Sequence, residues 1–149
     1  EKVDIAAANC DHVIDYKAED FAARVKEITG GRGVDVVYDG VGQSTFEKSL
    51  DCLRPRGLLA SFGNASGPVS VPDLGILARK GSLYVTRPTG AHYFAERTAM
   101  LEGAKALFDA ISAGQVQIDI SRRYRLEEVA DAHRALEGRE TTGSIVLLP

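Results

Sequence analysis

The hydrophobic pattern centres on one segment, Val34–Asp39, which is rich in β-branched residues and runs directly into Gly40-Val41-Gly42. Its apolar residues are nearly continuous rather than alternating, which predicts a strand covered on both faces, as in parallel sheets. The glycines at its carboxyl end allow a sharp turn and the close approach of another molecule. Because ligands of open parallel sheets bind outside the carboxyl ends of the strands, a site is expected here.

Further strands are predicted where short apolar runs end in glycine, proline or polar residues. These runs are His12–Tyr16, Gly57–Gly63, Ser82–Thr86, Val116–Ile120 and Ser144–Leu148. The alternating texture of Ser82–Thr86 and the proline that follows it predict an edge strand. A basic turn is expected at Arg122–Arg125, after the fourth of these strands.

Helices are predicted where apolar residues recur at a spacing of three and four. They cover Glu1–Ala8, a segment carrying Phe21, Val25 and Ile28, a segment carrying Phe46, Leu50 and Leu53, then Pro72–Arg79, Ala91–Ala113 and Leu126–Leu136. The alternation of strand and helix through residue 113 predicts an α/β fold with a doubly wound parallel sheet. The texture changes after Gly114, which predicts one unit over residues 1–114 and a separate segment over 115–149.

Bulk composition limits the classes of function. The chain has 149 residues, 44% hydrophobic and 26% charged, with a net charge of −3. These values indicate a globular domain, and the slight acidity gives no reason to expect a nucleic-acid partner or an anionic membrane. Cys10 and Cys52 form neither a metal motif nor a disulfide framework, so we expect a cytoplasmic protein. Because Glu1 opens within a predicted helix and without a methionine, we expect the chain to be part of a longer protein.

The most distinctive local motif is Gly40-x-Gly42, which begins like a dinucleotide fingerprint. The third fingerprint position is Thr45 instead of glycine or alanine, and Phe62 stands where an acidic ribose partner is expected. One interpretation is a simple glycine turn. The other is a backbone surface beside a cofactor that is gripped elsewhere.

Two further turns follow neighbouring predicted strands. Phe62-Gly63-Asn64 repeats the glycine geometry, and Thr86-Arg87-Pro88 closes the next strand. With Gly40 they would line one crevice, where Arg87 could pair with a phosphate or a carboxylate, or else remain a solvated edge arginine. The histidines and cysteines lie outside any ligand or nucleophile motif, so the residues alone identify no catalytic group and no metal site.

Several strings resemble zinc-independent quinone oxidoreductases of the medium-chain dehydrogenase/reductase superfamily. They are His12–Tyr16, Val36–Gly42, Ser49–Gly57, Ser61–Gly67, Leu74–Leu77, Gly81–Pro88 and Gly143–Pro149, in the order of that family. The resemblance implies an NADPH-dependent oxidoreductase that reduces quinones. It also implies a partial Rossmann-like NAD(P)-binding domain that lacks the first strands and the catalytic domain, with residues 115–149 returning to the latter.

The same resemblance assigns expected cofactor contacts. Tyr16 matches a residue near the adenosine ribose and phosphate, and Gly40 and Val41 match the strand end beside the adenine ribose. The residues that match the nicotinamide side are Phe62, Gly63, Asn64, Val85, Thr86 and Arg87. Arg139 matches an arginine of the family that lies near the cofactor. The family also implies a homodimer paired through Ser82–Thr86. No catalytic residue is assigned.

Two other functions remain open from the sequence. One is an enoyl or enone reductase of the same superfamily, which would share this domain. The other is a non-enzymatic nucleotide-binding or dimerisation module that uses the edge strand for association.

Overall fold

A computed structural model describes residues 2–138 and 140–149. Its contacts divide the chain into two compact units, Val3–His92 and Tyr93–Pro149. In chain order the elements are α1 (Lys2–Ala7), α2 (Phe21–Ile28), β1 (Val34–Asp39), α3 (Phe46–Asp51), β2 (Leu53–Ser61), α4 (Gly75–Arg79), β3 (Tyr84–Thr86), α5 (Gly90–Tyr93), α6 (Arg97–Ser112), β4 (Ile120–Arg125), a 3-10 turn (Leu126–Glu128), α7 (Val129–Glu137) and β5 (Ser144–Leu148). The predicted boundary at residue 114 between a cofactor domain and a C-terminal segment stays a prediction.

The first unit is built on a three-stranded parallel sheet of order β1-β2-β3. Helix α3 connects β1 to β2, and α4 lies between β2 and β3 in the chain, so the unit has the predicted α/β alternation. Because the pairing is parallel, Asp39, Ser61 and Thr86 all fall at one edge of the sheet. The predicted edge position of Ser82–Thr86 is confirmed, since β3 ends the strand order.

The core of this unit joins helix and sheet through five buried side chains: Phe46, Leu50, Leu53, Leu59 and Leu83. Leu50 and Leu59 have no exposed surface. Full burial of such a side chain stabilises the fold by about 1.5–3 kcal/mol. The contacts therefore fix α3 against β2 and with it the turn between β1 and α3.

An irregularity marks the amino end of β2. The register with β1 shifts between Val34 and Val36, and Arg56 has a φ of 60°. The Arg56 amide donates to the Gly81 carbonyl at 2.8 Å. Since a non-glycine residue rarely adopts this conformation, the bulge carries local strain away from the carboxyl edge of the sheet.

Two strand expectations for the first unit are wrong. His12–Tyr16 contains no strand, because these residues form no ladder with the three strands of the sheet. The Val34–Asp39 strand is not covered on both faces: Val36 is 38% exposed and Tyr38 is 76% exposed. Val36 and Tyr38 are two residues apart, so they point to the same face of the strand, and that face is open to solvent. In the described part of the chain β1 also has a hydrogen-bonded neighbour at one edge only.

The second unit contains the parallel pair β4-β5 together with α6 and α7. The expected strand Ser144–Leu148 is confirmed, whereas the expected strand at Val116–Ile120 and turn at Arg122–Arg125 are wrong. The basic residues form β4 because they pair along the ladder with Ile145–Leu148. Arginine tolerates this position because its charged end reaches water while its stem lies along the sheet.

The expected continuous helix Ala91–Ala113 is interrupted. Glu96 is extended, with φ −89° and ψ 133°, and α6 begins only at Arg97. The Phe94 ring packs over Gly103, where a β-carbon would lie 2.9 Å from the ring. Within residues 2–138 and 140–149, none of the helices has the length and apolar character needed to cross a membrane.

Candidate functional site

The carboxyl ends of β1 and β2 meet through direct backbone contact. The amides of Phe62 and Gly63 both donate to the Asp39 carbonyl, at 2.9 and 3.3 Å. A β-carbon at position 63 would lie 2.1 Å from the Gly40 carbonyl oxygen, so only glycine fits there. Above this contact, the Phe62 ring lies 3.0 Å from where a β-carbon of Gly40 would stand. The two predicted glycine turns are therefore in direct contact.

The Asp39 carboxylate fixes the turn that follows β1. It accepts hydrogen bonds from the amides of Val41 (2.8 Å) and Gly42 (3.0 Å). It also accepts from the hydroxyls of Thr45 (2.8 Å) and Ser49 (2.8 Å), which lie at the start of α3 and on its buried face. Asp39 is only 5% exposed, so this buried charge is held entirely by protein donors.

Electrostatics at Asp39 follow from that geometry. Burial on its own would raise the pKa of the carboxyl, but the hydrogen bonds from Gly42, Ser49, Thr45 and Val41 outweigh it, and the pKa is lowered. The group is ionised at neutral pH and acts as an acceptor. Because the Val41 and Gly42 amides turn inward to Asp39, they are not presented to a phosphate, unlike those of a phosphate-binding loop.

The loop after β2 that contains Ser66 and Gly67 also holds the Gly40–Gly42 turn. The Ser66 hydroxyl donates to the Val41 carbonyl at 2.8 Å and accepts from the Ser44 amide at 3.0 Å. Gly42, at φ +92°, packs against the Gly67 carbonyl, where a β-carbon would come within 2.7 Å. The turn is thus held at both ends.

Arg87 ties the end of β3 to the end of β2. Its Nη1 donates to the carbonyls of Ser61 (2.9 Å) and Gly63 (3.1 Å). The third predicted turn therefore joins the other two, and the Arg87 side chain braces the crevice through backbone oxygens.

Two cavities flank the joined strand ends. The first has a volume of about 270 Å³ and is mainly apolar; its lining is Ile14, Tyr16, Phe21, Val25, Val37, Tyr38, Asp39, Gly40, Val41, Thr45 and Ser49. The second has a volume of about 330 Å³; its lining is Phe46, Ser61, Asn64, Pro68, Val69, Val71, Val85, Thr86 and Arg87. Each can receive a flat, partly apolar group, the first mainly against aliphatic and aromatic side chains and the second against valines and polar side chains.

The structure brings together nine of the ten residues that the sequence singled out. Tyr16, Gly40 and Val41 line the first cavity, and a second group lines the other cavity: Asn64, Val85, Thr86 and Arg87. Phe62 and Gly63 lie between the two cavities, against Gly40. Arg139 lies outside the described residues. The part each residue plays toward a cofactor stays a prediction.

Sequence reasoning missed the buried network of Asp39, Thr45 and Ser49. The spacing Asp-Gly-x-Gly offered a signal, since aspartate commonly accepts from amides two and three residues ahead in a turn. The hydroxyl partners had no such signal, because they meet the carboxylate only when α3 packs on the sheet.

The second cavity offers binding surface rather than groups that commonly transfer protons. The lining of the second cavity contains no histidine, cysteine or carboxylate. Burial raises the pKa of the Cys52 thiol to about 11, so it is an unreactive core residue at neutral pH. Among residues 2–138 and 140–149, His, Cys, Asp and Glu form no group of three or more that could hold a metal ion.

Comparisons with known proteins agree with the resemblance. A family model described as zinc-binding dehydrogenase matches residues 8–147. A 2-haloacrylate reductase of Burkholderia is 52% identical over 94% of this chain and 42% of its own length. A quinone oxidoreductase of Pseudomonas aeruginosa is 54% identical over 91% of this chain and 42% of its own length.

Solved structures show the same relation. The Escherichia coli quinone oxidoreductase complexed with NADPH superimposes with a TM-score of 0.89 at 48% identity, covering 97% of this chain and 45% of that one. The chain therefore spans a little over two fifths of the length of the relatives it matches.

Proposed function

Since the chain belongs to the zinc-binding dehydrogenase family, we propose that it is the cofactor-binding portion of an NADPH:quinone oxidoreductase. One observation carries the proposal: three strand-end turns join around two cavities, and the second of these has no histidine, cysteine or carboxylate in its wall. The described residues do not fit a zinc ion, so the proposed reaction takes no step through one.

The proposed cofactor contacts rest on the family resemblance, and the two cavities are consistent with them. By that resemblance Tyr16, Gly40 and Val41, which line the cavity beyond β1, would contact the adenosine side. Asn64, Val85, Thr86 and Arg87 would contact the nicotinamide side, with Phe62 and Gly63 between the two regions. Arg139 is proposed as a further contact by family resemblance alone.

When bound, NADPH supplies the hydride that reduces the acceptor. The chain would contribute by placement: the contact between Gly40 and Gly63 brings the ends of β1 and β2 together, and the apolar walls would exclude water from one face. Arg87 would keep the β2 and β3 ends at a fixed separation. Hydride transfer would convert the quinone to a hydroquinone anion, which takes its proton from water, so no proton donor is required from these residues.

The test uses the full-length gene product. Purified protein should consume NADPH in the presence of a soluble benzoquinone. The reaction is monitored as the loss of NADPH absorbance. Arg87→Gln should raise the KM for NADPH, whereas Arg79→Gln, an exposed arginine paired with Asp73 on α4, should not. Absence of turnover with every quinone tried would contradict the proposal, and NADPH binding without turnover would favour a non-enzymatic module.

A second activity is favoured by one relative. The 52% identity to a 2-haloacrylate reductase supports reduction of an electron-poor carbon–carbon double bond by the same site. Parallel assays with 2-chloroacrylate and a benzoquinone, at the same NADPH concentration, would distinguish the two activities. The better substrate is the one with the higher kcat/KM.

We also propose a homodimer formed through the Ser82–Thr86 edge. Tyr84 and Val85 are 57% and 40% exposed on a strand that ends its sheet. Tyr84→Asp should lower the mass measured by light scattering, while Tyr93→Asp, at another exposed tyrosine, should not. An unchanged mass for Tyr84→Asp would argue against this edge.

A cytoplasmic location is proposed from cysteine usage. Cys10 is exposed and Cys52 is buried, and both are free thiols, as is usual in a reducing compartment. Cell fractionation with a marker enzyme checks the location.

A further inference from the structure

Asp39 is the residue through which the turn after β1 is joined to the end of β2. We infer that Asp39 is a positioning residue of the nucleotide site, setting the shape of the Gly40–Gly42 turn through bonds that Thr45 and Ser49 orient. The inference rests on the proposed NADPH function and names the residue that prepares the site for it.

The first step is that Asp39 holds two elements at once. Its main-chain carbonyl accepts from Phe62 and Gly63, so it fixes the end of β2. Its side chain accepts from Val41 and Gly42, so it fixes the turn after β1. A displacement of this one residue therefore moves both surfaces that would face the nucleotide.

The second step is that the Asp39 carboxylate accepts its hydrogen bonds from donors of the protein itself. Two amides and two hydroxyls converge on its oxygens, all within 3.0 Å. A carboxylate only accepts, whereas an asparagine at this position would also carry an NH₂ group. Thr45 and Ser49 can rotate their hydroxyls to accept from that group, but the Val41 and Gly42 amides can only donate.

The third step separates positioning from direct binding. Asp39 belongs to the wall of the first cavity, yet it is 5% exposed and its oxygens already have four donor groups. Gly40 and Val41 are the parts of this turn that line the cavity. Asp39 thus acts through the turn and not through contact with the nucleotide, as support beneath a preformed site.

The experiment compares four variants of the full-length protein. Asp39→Asn alters the acceptor, Thr45→Val removes one hydroxyl, and Thr45→Ser keeps that hydroxyl. Asp35→Asn is the matched control, because Asp35 is on the same strand but exposed, where it pairs with Arg32 and Arg54. Each variant is measured for NADPH affinity by fluorescence titration, for hydrogen exchange at the Val41 and Gly42 amides, and for kcat and KM.

Asp39→Asn should weaken NADPH binding about tenfold, the change in an equilibrium constant expected from one lost charge-assisted hydrogen bond. Exchange at Val41 and Gly42 should accelerate, while kcat at saturating NADPH changes little. Thr45→Val should show the same pattern more weakly, Thr45→Ser should restore most of the affinity, and Asp35→Asn should match the wild type. If Asp39→Asn does not fold, the comparison of Thr45→Val with Thr45→Ser tests the inference instead.

The outcomes that overturn the inference are distinct. In Asp39→Asn, faster hydrogen exchange at Val41 and Gly42 with unchanged NADPH affinity would mean that the network contributes to stability alone. If Asp39→Asn does not fold, the same result in Thr45→Val would have the same meaning. Wild-type protein that does not bind NADPH would refute both the proposed function and this inference. Wild-type binding that every variant retains would refute only the inference.

Discussion

Replacing Gly63 with alanine tests the contact on which the crevice is built. The added methyl carbon would lie 2.1 Å from the Gly40 carbonyl oxygen and 2.7 Å from its Cα, against 3.4 Å or more in ordinary contacts. These neighbours are main-chain atoms within a hydrogen-bonded sheet, so they cannot rotate away. The ends of β1 and β2 must separate, which strains the bonds from Phe62 and Gly63 to the Asp39 carbonyl.

The expected cost follows from overpacking. A forced backbone shift of this kind destabilises by about 1–3 kcal/mol. In a chain of 149 residues each kcal/mol lowers Tm by about 2–4 °C, so a drop of at least about 2 °C is expected. Thermal unfolding followed by circular dichroism measures it, and NADPH titration on the same samples should show weaker binding.

Gly40→Ala is the matched control, since it adds the same methyl group to the other side of the contact. Its nearest neighbour is the Phe62 ring at 3.0 Å, and Phe62 is 55% exposed and free to turn. A rotamer adjustment costs about 0.5–1.5 kcal/mol, less than the backbone shift. Equal losses of Tm in the two variants, or an unchanged Tm in Gly63→Ala, would refute the reasoning.

Three further outcomes are expected. Arg56→Gly should raise the urea midpoint, because relief of the left-handed conformation of Arg56 (φ 60°) contributes about 1–2 kcal/mol, more than the roughly 0.5–1 kcal/mol that the flexibility of glycine costs, and the bond to Gly81 is kept; a lower midpoint would contradict this. Because the folded pKa of Asp39 is lowered, its stabilisation is present above the unfolded value of about 3.9 and is lost as pH falls through the folded pKa. The stability difference between wild type and Asp39→Asn, measured by urea unfolding, should therefore be constant near neutral pH and shrink below about pH 4, and a difference independent of pH would contradict this. Iodoacetamide should alkylate Cys10 but not Cys52 in the native protein, since burial raises the Cys52 pKa to about 11; mass spectrometry showing two labels before denaturation would refute it.

Some of the fold could be predicted because its causes are local. The apolar run before Gly40 and the glycine at position 63 required strands that end in tight turns, and both are present. The helical spacing of Phe46 and Leu50 predicted the buried face of α3, whereas Leu53, expected on the same helix, is buried as the first residue of β2. Parallel pairing then brought the strand ends together, so the crevice could be predicted without knowing its contents.

Other parts depended on partners distant in sequence. His12–Tyr16 reads as a strand, but a strand exists only where another strand pairs with it. Arg122–Arg125 reads as a basic turn, and the ladder with Ile145–Leu148 makes it β4. A local pattern contains no information about which partner is available.

By itself the sequence determined the α/β alternation and the glycine turns, and its family resemblance singled out seven of the residues that line the two cavities. Only the tertiary structure decided what Asp39 does, because its hydroxyl partners lie six and ten residues away on a helix that packing alone brings over the strand end. It also decided that Arg87 bonds to the Ser61 and Gly63 carbonyls at the end of β2, more than twenty residues earlier in the chain. Periodicity predicts which face of an element is buried, whereas the donor that meets a given acceptor is set by how the elements assemble.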